Sequence, residues 1–267
     1  SSDDVVIPND FNVTVNTAAV CASFTIKEGN KSNLITISTG QSLKVSGAVT
    51  IEAVTGGATY KAIVVGSGIL TAGSVTMADN GNNNFDSYIS VSTGTVNVSG
   101  NITMNGSAGS NQIVFLGAGT LNIGGTGTIT GGTISNETRR AVALTRGTVN
   151  YNGSTQTVGN YNYYHLTVSG SNTKTLQTGT TSIGGNFIID NVTATAVAAL
   201  TIGGDVILEQ AFNFTSGTFT HNLAGNWTRN GWGTFTPGAG TINFTGNSSA
   251  INGTSANSQT FNNIIIA

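Results

Sequence analysis

The stretch from Gly94 to Gly106, Gly-Thr-Val-Asn-Val-Ser-Gly-Asn-Ile-Thr-Met-Asn-Gly, places apolar side chains on every second position. Val96 and Val98 precede Gly100, and Ile102 and Met104 follow it. That is the period of a strand with one buried face, bent at a central glycine. Leu43, Val45, Gly47, Val49 and Ile51 repeat the template with the same internal spacing, as do Leu200, Ile202, Gly204, Val206 and Leu208. Looser copies run from Leu70 to Met77, one residue tighter at the turn, and from Leu121 to Ile129, where Gly127 stands at a position read as apolar. Ile183-Gly185-Phe187-Ile189 and Leu223-Gly225-Trp227 continue the series. A chain with this self-similarity folds by stacking copies of one unit.

The unit is larger than a hairpin. A short strand with Ile35 and Ile37 leads through a turn into the bent template, and the order recurs from Ile63, Ile89 and Ile113, at steps of 24 to 28 residues. Glycine and β-branched residues dominate and no stretch has the 3.6-residue period, which excludes helices. About three short strands per unit, joined by Gly, Asn and Ser corners, predict a coil. The expected fold is all-β, a right-handed parallel β-helix with coils of about 19 to 28 residues, right-handed crossover being the default. Coils then stack at about 4.8 Å, with Asn and Thr ladders at their corners. The loops at 78–84 and 105–111 are places where coils can bulge.

The expected organisation has N-terminal cap strands over residues 1–33, longer coils over 34–146 and shorter coils over 147–267. Gly185, Gly204 and Gly225 set the shorter step. A second duplication overlays it. Gly147-Thr-Val-Asn-Tyr-Asn-Gly153 returns as Gly240-Thr-Ile-Asn-Phe-Thr-Gly246, opening a second 93-residue repeat at 240. Gln156-Thr157 and Gln259-Thr260 follow, and each copy ends in an apolar strand, Tyr164 to Val168 or Phe261 to Ile266. Phe261, Ile264, Ile265 and Ile266 carry no charge and no proline, so this strand is a candidate end-to-end assembly surface. Asp3, Asp4, Pro8 and Asp10 make the N-terminal edge better protected.

Composition removes several function classes. Charged residues are 7% of the chain and the net charge is -2. Nine scattered Lys and Arg residues cannot displace counterions as nucleic-acid binding requires. No run approaches the roughly 18 apolar residues of a membrane span. The single cysteine, Cys21, allows no internal disulfide and reads as a buried thiol.

The pattern Gly-Thr-[Val/Ile]-Asn-[Tyr/Phe]-x-Gly, then Gln-Thr, then the apolar strand, together with Gly225-Asn-Trp-Thr228 and Gly233-Thr-Phe-Thr236, resembles the repeats of very large secreted surface proteins of the Bacteroidetes. Those proteins are similar to gliding-type and biofilm adhesins. The likeness covers residues 147–267 well and the first half more loosely. It implies a secreted, extracellular or cell-surface location and supplies no catalytic motif.

Chemical motifs are sparse. Asp205 and Glu209 are the one close acidic pair in the folded middle, at unlike template positions, and read as surface carboxylates. Gly203-Gly204-Asp205 matches a calcium-repeat signature once, while Gly184-Gly185-Asn186 does not. His165 and His221 sit inside strand alternations and read as wall residues. Tyr161, Tyr163, Tyr164, Trp227 and Trp232 are candidates for stacking on sugar rings. The alternative is that alternate members fill the core. Thr218-Phe219-Thr220 and Thr234-Phe235-Thr236 would suit a flat ice-binding face, but such pieces do not recur at one position through the coils.

The expected function is a non-enzymatic structural or adhesive module, a stiff stalk of a cell-surface adhesin, using no cofactor and no metal. The expected partners are further copies or a longer continuation of the same chain, and a cell-surface or polysaccharide ligand. A filament subunit stacking through its C-terminal coil is the alternative, and a polysaccharide- or ice-binding solenoid is the next.

Overall fold

The computed structural model describes residues 3–56, 59–79, 81, 86–106, 111–135, 147–177, 181–253 and 259–267. Every element among them is a strand or an irregular segment, and every strand pairing is parallel. The chain is therefore a β-solenoid, as the template periodicity predicts. Contacts divide it into two units, Ser1–Gly147 and Thr148–Ala267.

In the first unit, inward residues line up coil upon coil. Leu43, Leu70, Val96 and Leu121 are successive register partners, and so are Val49, Val75, Ile102 and Ile129. On the facing wall Ile35, Ile63, Ile89 and Ile113 follow one another. These are the strand starts expected from the sequence. All are buried, each contributing roughly 1.5–3 kcal/mol of apolar burial. The N-terminal strands are part of this stack. Asp4–Ile7 pairs with Ser23–Ile26, and Val13–Val15 with Asn33–Ile37. Val6 and Phe11 face out of it and are exposed.

The bend glycines answer a steric demand. A Cβ on Gly73 would stand 2.7 Å from the Gly47 carbonyl oxygen, and one on Gly100 2.8 Å from that of Gly73. Gly127 continues the column, its Cβ position 2.1 Å from the Gly100 oxygen. Gly127 thus does not replace an apolar residue. The corner before it is two residues longer, since Ile123 pairs with Val98 but Ile129 with Ile102.

The opposite corner is polar and dry. Asn33, Lys61, Ser87 and Asn111 are register partners and all buried. Asn33 Nδ2 donates to the carbonyls of Pro8 and Phe11, each at 2.8 Å. Lys61 Nζ donates to the Lys27 carbonyl and to Asn33 Oδ1. Asn111 Nδ2 reaches the carbonyls of Ala78 and Asn105. Turn carbonyls that would otherwise be buried without donors are satisfied this way. Cys21 is buried, and its thiol is held above its usual range by desolvation and by Asp4.

The second unit has three walls. Phe187, Val206 and Trp227 are register partners on one, at steps of 19 and 21 residues. Ile183 and Ile202 on another are followed by Leu223 and Phe244. The third carries Gln156–Val158, Thr173–Leu176, Thr193–Thr195, Asn213–Thr215 and Thr234–Thr236. Inside, Phe187, Phe214, Trp227 and Phe235 form an aromatic core, with Trp227 and Phe235 centroids 4.7 Å apart.

One corner of this unit is a ladder. His165 Nδ1 accepts the Asn186 N–H at 2.9 Å, and Asn186 Oδ1 accepts the Asp205 N–H at 3.0 Å. Asp205 Oδ1 accepts that of Asn226 at 2.6 Å, and Asn226 Oδ1 that of Ala250 at 2.9 Å. Amide ladders also run on the walls, from Asn122 to Asn97 and from Asn243 to Asn222.

Candidate functional site

The five aromatic residues singled out from the sequence part company. Trp227 is enclosed by Phe214, Phe235 and Phe261, and its indole N–H donates to Gln259 Oε1 at 2.7 Å. Tyr163 is likewise buried. Its hydroxyl donates to the Gly159 carbonyl at 2.5 Å, so the 3.1 Å contact with Tyr151 has Tyr151 as donor, while Tyr151 accepts the Gly159 N–H. Desolvation holds the Tyr151 and Tyr163 hydroxyls above the usual phenol range. Neither Trp227 nor Tyr163 can stack on a ligand, because their inward parity puts them in the core. Tyr161 is half-buried against Tyr163, and burial pushes its hydroxyl up to about 12. Tyr164 packs edge-on against His165. His165 and His221 are occupied in the walls. His221 is buried, accepts the Leu200 N–H at Nδ1 and donates from Nε2 to the Ser216 carbonyl, and burial lowers its pKa.

Trp232 is different. It is 73% exposed and lines a shallow groove with Glu209, Gln210, Asn230 and Gly231. The corner that carries it is held from inside. Buried Arg229 donates from Nε to the Gly231 carbonyl at 3.0 Å and from Nη2 to the Gly233 carbonyl at 2.7 Å, with its guanidinium over the Phe212 ring. Trp232 N–H donates to the Gln210 carbonyl at 2.9 Å. Gln210 itself has a φ of 43°, a left-handed backbone uncommon for glutamine. Asn230 Nδ2 donates to Glu209 Oε1 at 2.7 Å. Asp190 is the register partner of Glu209 in the preceding coil, whereas Asp205 holds a place in the corner ladder. The groove presents an indole face, a carboxylate and an amide.

Asp205 is committed to the corner ladder, which explains why Asn stands at the equivalent positions 186 and 226. Among the described residues no group of three or more His, Cys, Asp or Glu comes together, and no helix is long and apolar enough to cross a membrane.

The C-terminal strand Asn263–Ile266 pairs with Thr241–Phe244. Ile264 and Ile266 follow the buried Ile242 and Phe244, so they hold core positions, yet both are exposed, Ile266 at 84%. Ile265 follows Asn243 on the outward face. Phe261 packs on Trp227 and Phe235.

The third wall corrects the reading of the threonines. Thr157, Thr175, Thr195, Thr215 and Thr236 are consecutive register partners. Two residues earlier, Thr173, Thr193, Asn213 and Thr234 form a second column. Thr-x-Thr does recur at one position, through successive coils. Coil lengths differ, so alignment on the apolar template alone hides it. Lys174, Ala194, Phe214 and Phe235 lie between the columns and point inward, all buried. No protein-family model matches the chain, and no curated protein and no solved structure matches it either.

Proposed function

We propose that the protein is a non-enzymatic structural and adhesive module, a stiff stalk segment of a secreted cell-surface adhesin. The observation that carries the reading is the continuity of side-chain columns within each unit. Apolar residues, glycines and buried polar groups each repeat at their own corner or wall, as in a chain built for length and resistance to local opening. The resemblance of residues 147–267 to large surface adhesins supports the same reading. The Trp232 groove is the proposed contact for a surface polysaccharide. Negative-stain imaging with limited proteolysis of the folded chain tests it. Short, protease-resistant rods support a stalk, whereas turnover of a polysaccharide by the purified chain excludes a purely adhesive role.

A second reading, assembly between copies, is favoured by the exposed apolar side chains of Ile264 and Ile266. Sedimentation over a concentration series separates the two readings. Filaments that vanish in an Ile264→Asp, Ile266→Asp double variant support assembly, and monomers at every concentration exclude it.

A further inference from the structure

We propose that the threonine wall of the second unit is an ice-binding face. Its two columns occupy nine register positions, eight of them Thr and the ninth Asn213. Thr155, exposed, stands one residue ahead of the first strand and extends the shorter column. Parallel pairing spaces each column at about 4.8 Å, and two residues along a strand span about 6.6 Å. The wall thus presents a two-dimensional lattice of hydroxyl and methyl groups. Its two repeats lie close to those of water oxygens on a prism face of hexagonal ice.

Spacing alone would not suffice, but three further features favour an ordered water layer over a soluble partner. Every side chain in the array is neutral and short, so none reaches out to organise liquid water around a charge. Threonine is β-branched, with few rotamers open to it, and its in-register neighbours leave the hydroxyls little freedom. The backbone beneath is pinned by Lys174, Ala194, Phe214 and Phe235, and its register runs without a bulge.

The first unit supplies an internal contrast. Thr25, Thr50, Thr76, Thr103 and Thr130 form a column there too. That column is single, since Ala48 and Ser74 stand beside it, and the Lys27–Glu52 ion pair lies on its other flank. Strand propensity accounts for one column of threonine. It does not account for two columns side by side that exclude charge.

The proposal is independent of the stalk reading, since a stalk without it would still be a stalk. The test uses the whole chain, fluorescently labelled, with a growing single ice crystal and with thermal hysteresis measured in parallel. Wild type is expected to arrest and shape the crystal and to be taken up on its surface. Thr195→Tyr and Thr215→Tyr, which keep strand propensity but break the lattice, are expected to lose both effects. Thr76→Tyr, on the single column, is expected to keep them. Far-UV circular dichroism and melting establish that each variant is folded. Should either tyrosine variant melt early, Thr215→Lys, whose side chain extends into solvent, takes its place with the same expected loss. Crystal growth in wild type identical to buffer overturns the proposal. So does activity surviving in folded Thr195→Tyr, or equal loss in Thr76→Tyr. Retention on microcrystalline cellulose or chitin without any effect on ice also overturns it, identifying a polysaccharide face instead.

Discussion

Lys174→Met isolates what the buried polar corners contribute. Lys174 is fully enclosed, and its ammonium donates to the carbonyls of Gly153 at 2.7 Å, Ser154, and Ser171 at 3.2 Å, and to Gln156 Oε1 at 2.9 Å. Methionine keeps most of the apolar stem and removes every donor; Gln156 Oε1 keeps the Gly153 N–H and the Gly153 carbonyl keeps the Ser171 N–H, so the Ser154 and Ser171 carbonyls are the two that lose their donor. At about 1 kcal/mol each, the low end for an unsatisfied buried group, the loss approaches about 2 kcal/mol. Relief of the buried charge offsets part of that, leaving an expected net loss of about 1 kcal/mol near neutral pH. The pH dependence is the sharper signature. Burial pushes the Lys174 pKa down to about 8 from the ordinary 10.5. Between those values the unfolded chain still holds the proton and the folded chain has released it, so wild-type stability rises with pH across the window. Lys174→Met lacks that contribution, and its deficit should widen from pH 8 to 10.5. Both tryptophans, Trp227 and Trp232, lie in the second unit, so urea unfolding followed by tryptophan fluorescence reads the right part of the molecule. A variant as stable as wild type at pH 7, or a deficit that does not grow with pH, refutes the reasoning.

Other outcomes follow from single contacts. Gly100→Ala puts a Cβ 2.8 Å from the Gly73 carbonyl oxygen, and differential scanning calorimetry should show a loss of about 1–3 kcal/mol, as overpacking costs. Asp205→Asn should leave stability unchanged, because Asn fills the same ladder position at 186 and 226, whereas Asp205→Ala should cost about 1 kcal/mol by orphaning the Asn226 N–H. Equal losses in the two would mean that the charge matters and not the acceptor. Trp232→Ala should change stability by less than about 0.5 kcal/mol, as exposed substitutions do, while abolishing retardation of the chain in polysaccharide-containing gels. Unchanged retardation removes the groove from the adhesive surface.

The coil itself was legible because burial in a parallel stack writes one apolar column per inward position. Ile35, Ile63, Ile89 and Ile113 could be matched by spacing and prove to be register partners. Legibility fails at the corners, where the two-residue period loses its phase. Trp227 and Trp232 lie five residues apart, and only the turn through Gly231 decides that one is core and the other solvent. Gly127 was misplaced for the same reason, since its corner gained residues. Lys61 and Lys174 are not legible because lysine is ordinarily exposed, and most of the carbonyls that hold them, those of Lys27, Gly153 and Ser154, come from turns in other coils. The threonine wall left a signal in the sequence. The Thr-x-Thr pieces at 155, 173, 193 and 234 and Asn-x-Thr at 213 needed alignment on themselves, not on the apolar template.

In a stack of this kind the unit of chemistry is the column, and that changes what counts as a motif. A lone Asp205 after paired glycines looks like a metal ligand, but within its column it is one acceptor among Asn and His residues that each accept a backbone N–H from the next coil. A lone Thr is only a strand former, but in two adjoining columns it is a lattice. Low charge fits the same logic. Coils about 4.8 Å apart would set like charges at that spacing in any charged column, whereas Asn columns bond to themselves, as Asn97 with Asn122 and Asn222 with Asn243 do. Lys27 and Glu52 place opposite charges in neighbouring coils at 2.6 Å, with the lysine hydrogen bond holding the Glu52 carboxyl below its usual range, and Asp190 and Glu209 are a like-charge register pair that the second unit carries. Neutral hydroxyls and amides therefore cover most of the walls, because a stack disfavours a charge repeated from coil to coil. A wall that departs from single-column variety toward two matched columns carries information that stacking alone does not require.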